Sequence, residues 1–154
     1  MFVGMHQTEQ VADDEERVRS SFAKQGLMAT LGATLEKVSP GSVEIALRPT
    51  PSISQQHGFV HAGAVSAIAD TAAGYAALTL MPASAGVLTT EFKINLLAPA
   101  KGDRIVAIGK VVKSGRTLTL AQTEVYAENA GHSKLIALLT ATLMAVQGRD
   151  GVSD

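Results

Sequence analysis

One carboxylate, Asp70, is the clearest chemical signal in the sequence, because it is the only charged residue between Pro49 and Thr90. It lies in a run rich in alanine and glycine that contains no proline and has helical length. Burying an ionised carboxylate costs free energy unless it is paired or hydrogen-bonded, since burial disfavours the charged form. Two interpretations remain open for Asp70: a structural carboxylate that bonds a neighbouring backbone, or a catalytic base.

Three polar side chains just upstream, Gln55, His57 and His61, are candidate companions, and Ala62-Gly63 stand at the expected helix N-terminus. Free N–H groups at such a terminus, reinforced by the helix dipole, can polarise a carbonyl or stabilise an oxyanion. A glutamine amide can add a second donor. Taken alone, Gln55 fits a solvated loop residue better, and each histidine fits a cap or a packing residue.

Other catalytic chemistries have little support in the sequence. His57 and His61 are four residues apart, but the glutamate of the HExxH motif is absent, so we predict no metal site. Ser66 lacks the GxSxG elbow of a serine nucleophile. No glycine-rich phosphate loop occurs, and no cofactor is predicted. The absence of cysteine excludes disulfides and thiolate chemistry, and fits a reducing cytoplasm.

Length and composition predict a single domain that associates with copies of itself. The chain has 154 residues, of which 46% are hydrophobic and only 18% charged, so part of its surface is expected to be buried in an oligomer. The net charge of -1 argues against a nucleic-acid partner. The N-terminal residues lack a secretory signal pattern, and the uncharged run around Asp70 is too rich in small residues for a membrane helix.

The elements that must position these residues follow from periodicity. We predict a short N-terminal helix that ends near Gln25, with acidic residues 13–16 in its first turn and Gly26 as its stop. A β-hairpin, a long polar loop and one long helix come next, and four further strands are predicted as a consecutive meander. The predicted ranges are 33–38 and 42–48 for the hairpin, 49–61 for the loop, 62–80 for the helix, and 91–96, 103–113, 117–128 and 133–146 for the later strands. The last strand is apolar on both faces, so it needs two covers, such as the helix and a second subunit.

Two segments resemble the PaaI-like branch of the hotdog-fold acyl-CoA thioesterases: HGFVHAGAVSAIAD, followed by an alanine-rich helix, and VLTTEFKINLLAPAKGD. The family pattern places Asn or Gln several residues before His-Gly-Gly, with a carboxylate nine residues after that His. Gln55, His61-Ala62-Gly63 and Asp70 match it, with Ala62 in place of the first glycine. The resemblance runs from about residue 27 to 146. It implies an α+β hotdog fold, in which an antiparallel sheet of about six strands wraps around one long helix.

The resemblance also implies a function, hydrolysis of an acyl-CoA thioester without metal or cofactor. Asp70 would be the general base or nucleophile, Thr89 would orient the water, and Gln55 with the Ala62 N–H would polarise the carbonyl. His61 and Gln55 are expected to face Asp70 of a partner chain in a homodimer or homotetramer. Gly63 would border the substrate, and surface cations would meet the CoA phosphates. The candidate cations are Lys113, Arg116 and Arg104.

The expected organisation is a tail and short helix over residues 1–26, a hotdog domain over 27–148 and a tail over 149–154. Two alternatives remain at this point. One is a hotdog enoyl-CoA hydratase or dehydratase, although neither Gly-Asp-x-Asn-Pro-x-His nor His-Phe-Pro occurs. The other is an acyl-CoA-binding protein that does not turn its ligand over.

Overall fold

The computed structural model describes residues 3–152 and 154 and contains one sheet and one central helix. The helices are α1 (Val3–Ala23), α2 (Gly26–Leu31) and α3 (Ala62–Leu78), and a short 3-10 helix spans Pro51–Ile53. The strands are β1 (Thr34–Ser39), β2 (Ser42–Leu47), β3 (Gly86–Leu96), β4 (Arg104–Lys113), β5 (Leu118–Asn129) and β6 (His132–Val146). The hairpin, the polar loop, the long helix and the last three strands match the predicted ranges within two residues, whereas β3 begins at Gly86, five residues before the predicted start at 91.

The six strands form one antiparallel sheet in the order β1-β2-β4-β5-β6-β3, which confirms the hotdog arrangement predicted from the sequence. The predicted consecutive meander is wrong in one respect: β3 pairs with β6 and not with β4. After β3 the chain crosses the sheet, and β4 pairs with β2. Because of this crossover, the strands on either side of α3 in the chain lie in two halves of the sheet that curve around the helix, and β3 lies at one edge.

The central helix packs against the sheet at a very short distance. A Cβ atom added at Gly109 on β4 would lie 2.4 Å from the backbone carbon and oxygen of Ala72 on α3, so only glycine fits there. On β5, the buried Thr123 hydroxyl donates a hydrogen bond of 2.9 Å to the carbonyl of Ala69. Alanines on α3 permit this approach, and Ile68 and Leu78 complete a continuous core with the sheet. The packing fixes the position of α3 along the sheet.

The N-terminal region differs from the prediction. Acidic residues 13–16 lie in the interior of α1, where Glu15 pairs with Arg19 at 2.8 Å, and not in its first turn. Gly26 does not stop a helix; it begins α2 after Gln25 adopts an extended conformation. The guanidinium of Arg17 donates to the carbonyls of Met81 and Ala85, which ties α1 to the segment that follows α3. These long-range bonds leave no periodic signal in the sequence.

Apolar side chains are exposed along β3. Phe92 and Leu96 are 46% and 54% exposed although they lie on the face of the strand that continues the core, and Leu88 on the opposite face is 43% exposed. On β6, Leu139 and Leu143 are buried against α3, whereas Leu138 and Met144 on the outer face are only partly buried. In the described part of the chain, no helix is both long and apolar enough to cross a membrane.

Candidate functional site

Asp70 lies near the middle of α3 and is half-buried beside β3. The Thr89 hydroxyl on β3 donates a hydrogen bond of 2.8 Å to Oδ1 of Asp70. A bulge between Thr89 and Glu91 shifts the register of β3 against β6 at this point. The second carboxylate oxygen, Oδ2, has no protein donor among the described residues and is available to a water molecule. The structure thus brings together two of the predicted site residues, Asp70 and Thr89.

Burial raises the pKa of Asp70 above its ordinary value, and the Thr89 hydrogen bond partly opposes that shift by stabilising the ionised form. A carboxylate with a raised pKa binds a proton more readily than a free aspartate, so it is better suited to accept one from water. Thr89 is the one hydrogen-bond partner of the Asp70 side chain among the described residues. The electrostatics of the site therefore suit a general base.

Asp70 and Thr89 border a groove of about 230 Å³ between α3 and β3. On the helix side the groove follows Ala67, Gly74 and Tyr75. Gln25, in the turn between α1 and α2, and Leu27 of α2 border it from the other side. Small residues on α3 leave the space open, since Ala67 and Gly74 share the helical face of Asp70. If the reacting carbon of a substrate lies beside Asp70, the group bonded to that carbon would extend into this groove.

A second group of predicted residues lies at the start of α3. His61 is the N-cap, and its Nδ1 accepts a hydrogen bond of 2.8 Å from the Gly63 N–H. Because Nδ1 is the acceptor, a neutral His61 ring carries its proton on Nε2. A Cβ at Gly63 would lie 3.0 Å from that nitrogen, so glycine permits this cap. The Ala62 N–H finds no acceptor in the described part of the chain and remains available as a donor.

Gln55 presents a second donor beside the Ala62 N–H. Its Oε1 accepts a hydrogen bond from the backbone N–H of His57, which orients the amide so that Nε2 is left as the free end. The loop is closed by a bond of 2.8 Å from the Gln55 N–H to the Phe59 carbonyl. Gln55 and Ala62 line a cavity of about 410 Å³ whose other walls are mainly apolar. His57 itself is exposed, where its ring lies 3.4 Å from the Gln56 amide.

The two groups are too far apart to act on one carbonyl within a single chain. Ala62 and Asp70 are eight residues apart on α3, which is roughly 12 Å along the helix axis at 1.5 Å per residue. An oxyanion donor and an attacking water must both lie about 3 Å from the reacting group. The predicted site residues of one chain therefore form two separate groups, or candidate half-sites, one with Asp70 and Thr89 and one with Gln55 and Ala62.

The three predicted cations do not converge. Arg104 begins β4 and pairs with Glu36 at 3.1 Å and Glu128 at 3.9 Å, so its charge is largely compensated. Lys113 ends the same strand, roughly 30 Å away at about 3.3 Å per residue. Arg116 follows it in the turn between β4 and β5, and both are exposed.

A buried polar cluster at one end of the groove was not predicted from the sequence. Tyr75 is 2% exposed, and its hydroxyl lies 3.0 Å from Ser21 Oγ and 2.8 Å from Gln25 Nε2. Ser21 also donates to the Asp154 carboxylate at 2.7 Å. The one available signal is that a tyrosine within a buried alanine-rich helix needs a hydrogen-bond partner. That partner comes from α1, which is distant in sequence.

Comparisons with known proteins agree with the observed fold. The family model of the thioesterase superfamily matches residues 57–133, which is half of the chain. A thioesterase family protein from Silicibacter pomeroyi is 50% identical, with a TM-score of 0.86 over 88% of this chain and 99% of that chain. A mutant of the phenylacetic acid degradation protein PaaI from Thermus thermophilus is 26% identical, with a TM-score of 0.69 over 78% of this chain and 98% of that chain. The PaaI protein of E. coli, at 18% identity, shares the fold with a TM-score of 0.80 over 93% of this chain and 97% of that chain.

Proposed function

The chain belongs to the thioesterase superfamily, and from this premise we propose that it hydrolyses an acyl-CoA thioester to the free acid and CoA, with Asp70 as the base. The observation that carries the proposal is the half-buried Asp70, held by Thr89 beside an open groove, with one carboxylate oxygen left for water. A thioester carbonyl is already electrophilic, so a positioned base and an oxyanion site suffice for its hydrolysis.

In the proposed reaction, the Asp70 carboxylate accepts a proton from water while the water oxygen bonds to the thioester carbonyl carbon. The carbonyl oxygen becomes an oxyanion, which accepts hydrogen bonds from the Ala62 N–H and Gln55 Nε2. The carbon–sulfur bond then breaks, and the departing thiolate takes up the proton held by Asp70. Thr89 holds Oδ1, so the free oxygen faces the water.

Asp70 as a nucleophile is the second form of this chemistry. A carboxylate oxygen would then bond to the acyl carbon, and water would cleave the resulting mixed anhydride. Single turnover in ¹⁸O-labelled water, followed by mass spectrometry of the peptide that contains Asp70, detects the nucleophilic route when water attacks the Asp70 carbonyl of the anhydride. Rapid acid quench with the same peptide analysis detects an acyl group on Asp70 whichever carbonyl is attacked. We expect label only in the released acid; label in Asp70 would assign the nucleophilic route.

The two half-sites of a chain support a dimer in which each site is shared. Gln55 and Ala62 of one protomer would face Asp70 and Thr89 of the other, which brings donors and base to the same carbonyl. The β3 edge offers unpaired backbone groups together with the exposed side chains of Phe92 and Leu96. We propose that this edge pairs with its copy in a homodimer or in the dimers of a homotetramer.

Lys113 and Arg116 are the better candidates for the CoA phosphates, since no ion pair compensates either side chain among the described residues. Arg104 is already engaged by two glutamates. Replacing Lys113 and Arg116 together by serine is expected to raise KM for acyl-CoA and leave kcat nearly unchanged. An N-acetylcysteamine thioester, which lacks the phosphates, is the matched substrate and should show no such change.

The donor role of Ala62 permits a sharp test. Proline is well tolerated at the first position of a helix, and His61 already has the extended conformation that precedes proline (φ −59°, ψ 139°). Ala62→Pro therefore preserves the helix start but removes the N–H, and we expect kcat to fall about 10² to 10³-fold. Ala62→Gly retains the N–H and is the control.

The assay follows free thiol released from acyl-CoA. Ala62→Gly should remain within a few-fold of the parent, and Asp70→Asn should be inactive yet folded. Undiminished turnover in Ala62→Pro would remove Ala62 from the oxyanion site. Tight binding of acyl-CoA by the parent chain without thiol release would instead assign a binding protein.

A further inference from the structure

The turn between α1 and α2 forms one end of the groove beside Asp70. We propose that Gln25 in this turn and Leu27 in the first turn of α2 set the maximum length of the acyl group, an inference that rests on the proposed thioester hydrolysis. Both residues line the groove that contains Asp70, and both come from outside the hotdog sheet and central helix. The acyl group is the expected occupant because the groove begins at the carboxylate that would activate water for its carbonyl.

The position of Gln25 is fixed by a hydrogen-bond chain with a defined direction. Ser21 Oγ donates to Asp154 Oδ1 at 2.7 Å, which uses its one proton, so the Tyr75 hydroxyl must donate to Ser21 at 3.0 Å. The oxygen of Tyr75 in turn accepts from Gln25 Nε2 at 2.8 Å. Both hydroxyl protons in the chain are committed, so the Gln25 amide must present Nε2 to Tyr75, which gives it one preferred orientation at the end of the groove.

The same chain connects the groove end to the strand that holds the base. Asp154 Oδ2 accepts a hydrogen bond of 2.8 Å from the Val87 N–H on β3, two residues before Thr89. Val87 also lines the groove. The wall formed by β3 and the end formed by Gln25 are thus held at a fixed separation, which is what a length limit requires.

The size of the groove indicates a short acyl group. Its volume of about 230 Å³ is below the roughly 300 to 1,000 Å³ of sites for drug-sized ligands. We therefore infer a preference for short acyl groups. Leu27 is 57% exposed, so its replacement changes the groove with little effect on the core.

The test measures kcat/KM for straight-chain acyl-CoAs with 4, 8 and 12 carbons. Leu27→Ala and Gln25→Ala should each raise the ratio of the 12-carbon to the 4-carbon value at least tenfold, since pocket contacts of this kind discriminate about 10- to 200-fold. Leu27→Trp should shift the preference toward shorter groups. Leu80→Ala is the matched control, because Leu80 is 44% exposed and lies outside the groove.

Binding of S-(2-oxoalkyl)-CoA thioethers of the same three lengths, measured by calorimetry, separates this inference from the proposed function. A length limit that moves in the Leu27 variants, without hydrolysis of any thioester, would support the groove assignment and overturn the catalytic one. Hydrolysis with the same length profile in the parent, Leu27→Ala and Leu27→Trp would overturn the groove assignment alone. Absence of both binding and hydrolysis would overturn both.

Discussion

Mixing two inactive variants offers a direct test of the shared site. Asp70→Asn removes the base from one half-site, and Gln55→Ala removes a donor from the other. If each site takes its base from one protomer and its donors from the partner, a heterodimer of the two variants has one site with both native residues and one site with neither. The roughly 12 Å between Ala62 and Asp70 in a single chain is the structural basis of this expectation.

The expected recovery follows from counting sites. In an equimolar mixture that exchanges subunits freely, half of the dimers are heterodimers, and one of their two sites is intact. About one quarter of the parental activity should therefore return. The separate variants should show far less, because loss of an oxyanion donor costs about 10² to 10³-fold in kcat and loss of a general base about 10² to 10⁴-fold.

The measurement is thiol release after co-expression of the two variants, with each variant alone and the double variant Asp70→Asn/Gln55→Ala mixed with parent as controls. The double variant leaves no heterodimer site intact, so its mixture should show only the activity of the parental homodimers. Mass spectrometry of the intact complexes establishes that subunits have exchanged. No recovery in a sample that contains heterodimers would refute the shared site.

Three further outcomes follow from individual contacts. Asp70→Asn should raise the free energy of unfolding near neutral pH, because burial raises the pKa of Asp70. Above about pH 3.8 the native parent protein therefore holds more protons than its unfolded state, and its stability falls as the pH rises. In urea unfolding, the difference in stability between variant and parent should shrink as the pH is lowered toward about 4. Thr89→Val should lower kcat about tenfold and move the acidic limb of the pH–rate profile to higher pH, because the hydrogen bond from Thr89 lowers the pKa of Asp70 in the parent. Thr89→Ser should restore both kcat and the position of the limb. An unmoved limb in Thr89→Val would contradict the role of the hydrogen bond between Thr89 and Asp70. Tyr75→Phe should cost about 1 to 3 kcal/mol of stability in urea unfolding, because it leaves the Ser21 and Gln25 groups without their buried partner, and a neutral result would mean that water replaces the hydroxyl.

The central part of the molecule was predictable because its signals are local. An uninterrupted alanine-rich run after a polar loop predicted α3 within two residues, and the strand periods predicted β4, β5 and β6 almost to their ends. Asp70 was identifiable as a lone charge in an apolar segment. The association of Thr89 with Asp70 was predicted only from the family resemblance. The alternation of residues along β3 does not show which side chain contacts α3.

The errors concern partners that are distant in the chain. The alternation of Phe92, Ile94 and Leu96 indicated a strand, but it could not show that β3 pairs with β6 at an edge of the sheet. An apolar face that is exposed in one chain has the same sequence pattern as a buried face. The length of α1 was missed because the helix is mostly polar. Its attachment depends on single contacts such as Arg17 with the Met81 carbonyl.

The contact between Gly109 and Ala72 has a consequence for how two sites of a dimer would respond to each other. Each α3 helix bears Ala62, a donor of one proposed site, at its first residue and Asp70, the base of the other proposed site, near its middle. A shift of the helix along the sheet would therefore misplace catalytic groups in both sites. With no room even for a methyl group between helix and strand, sliding is blocked. We expect the two sites to turn over independently, with hyperbolic and not sigmoidal kinetics.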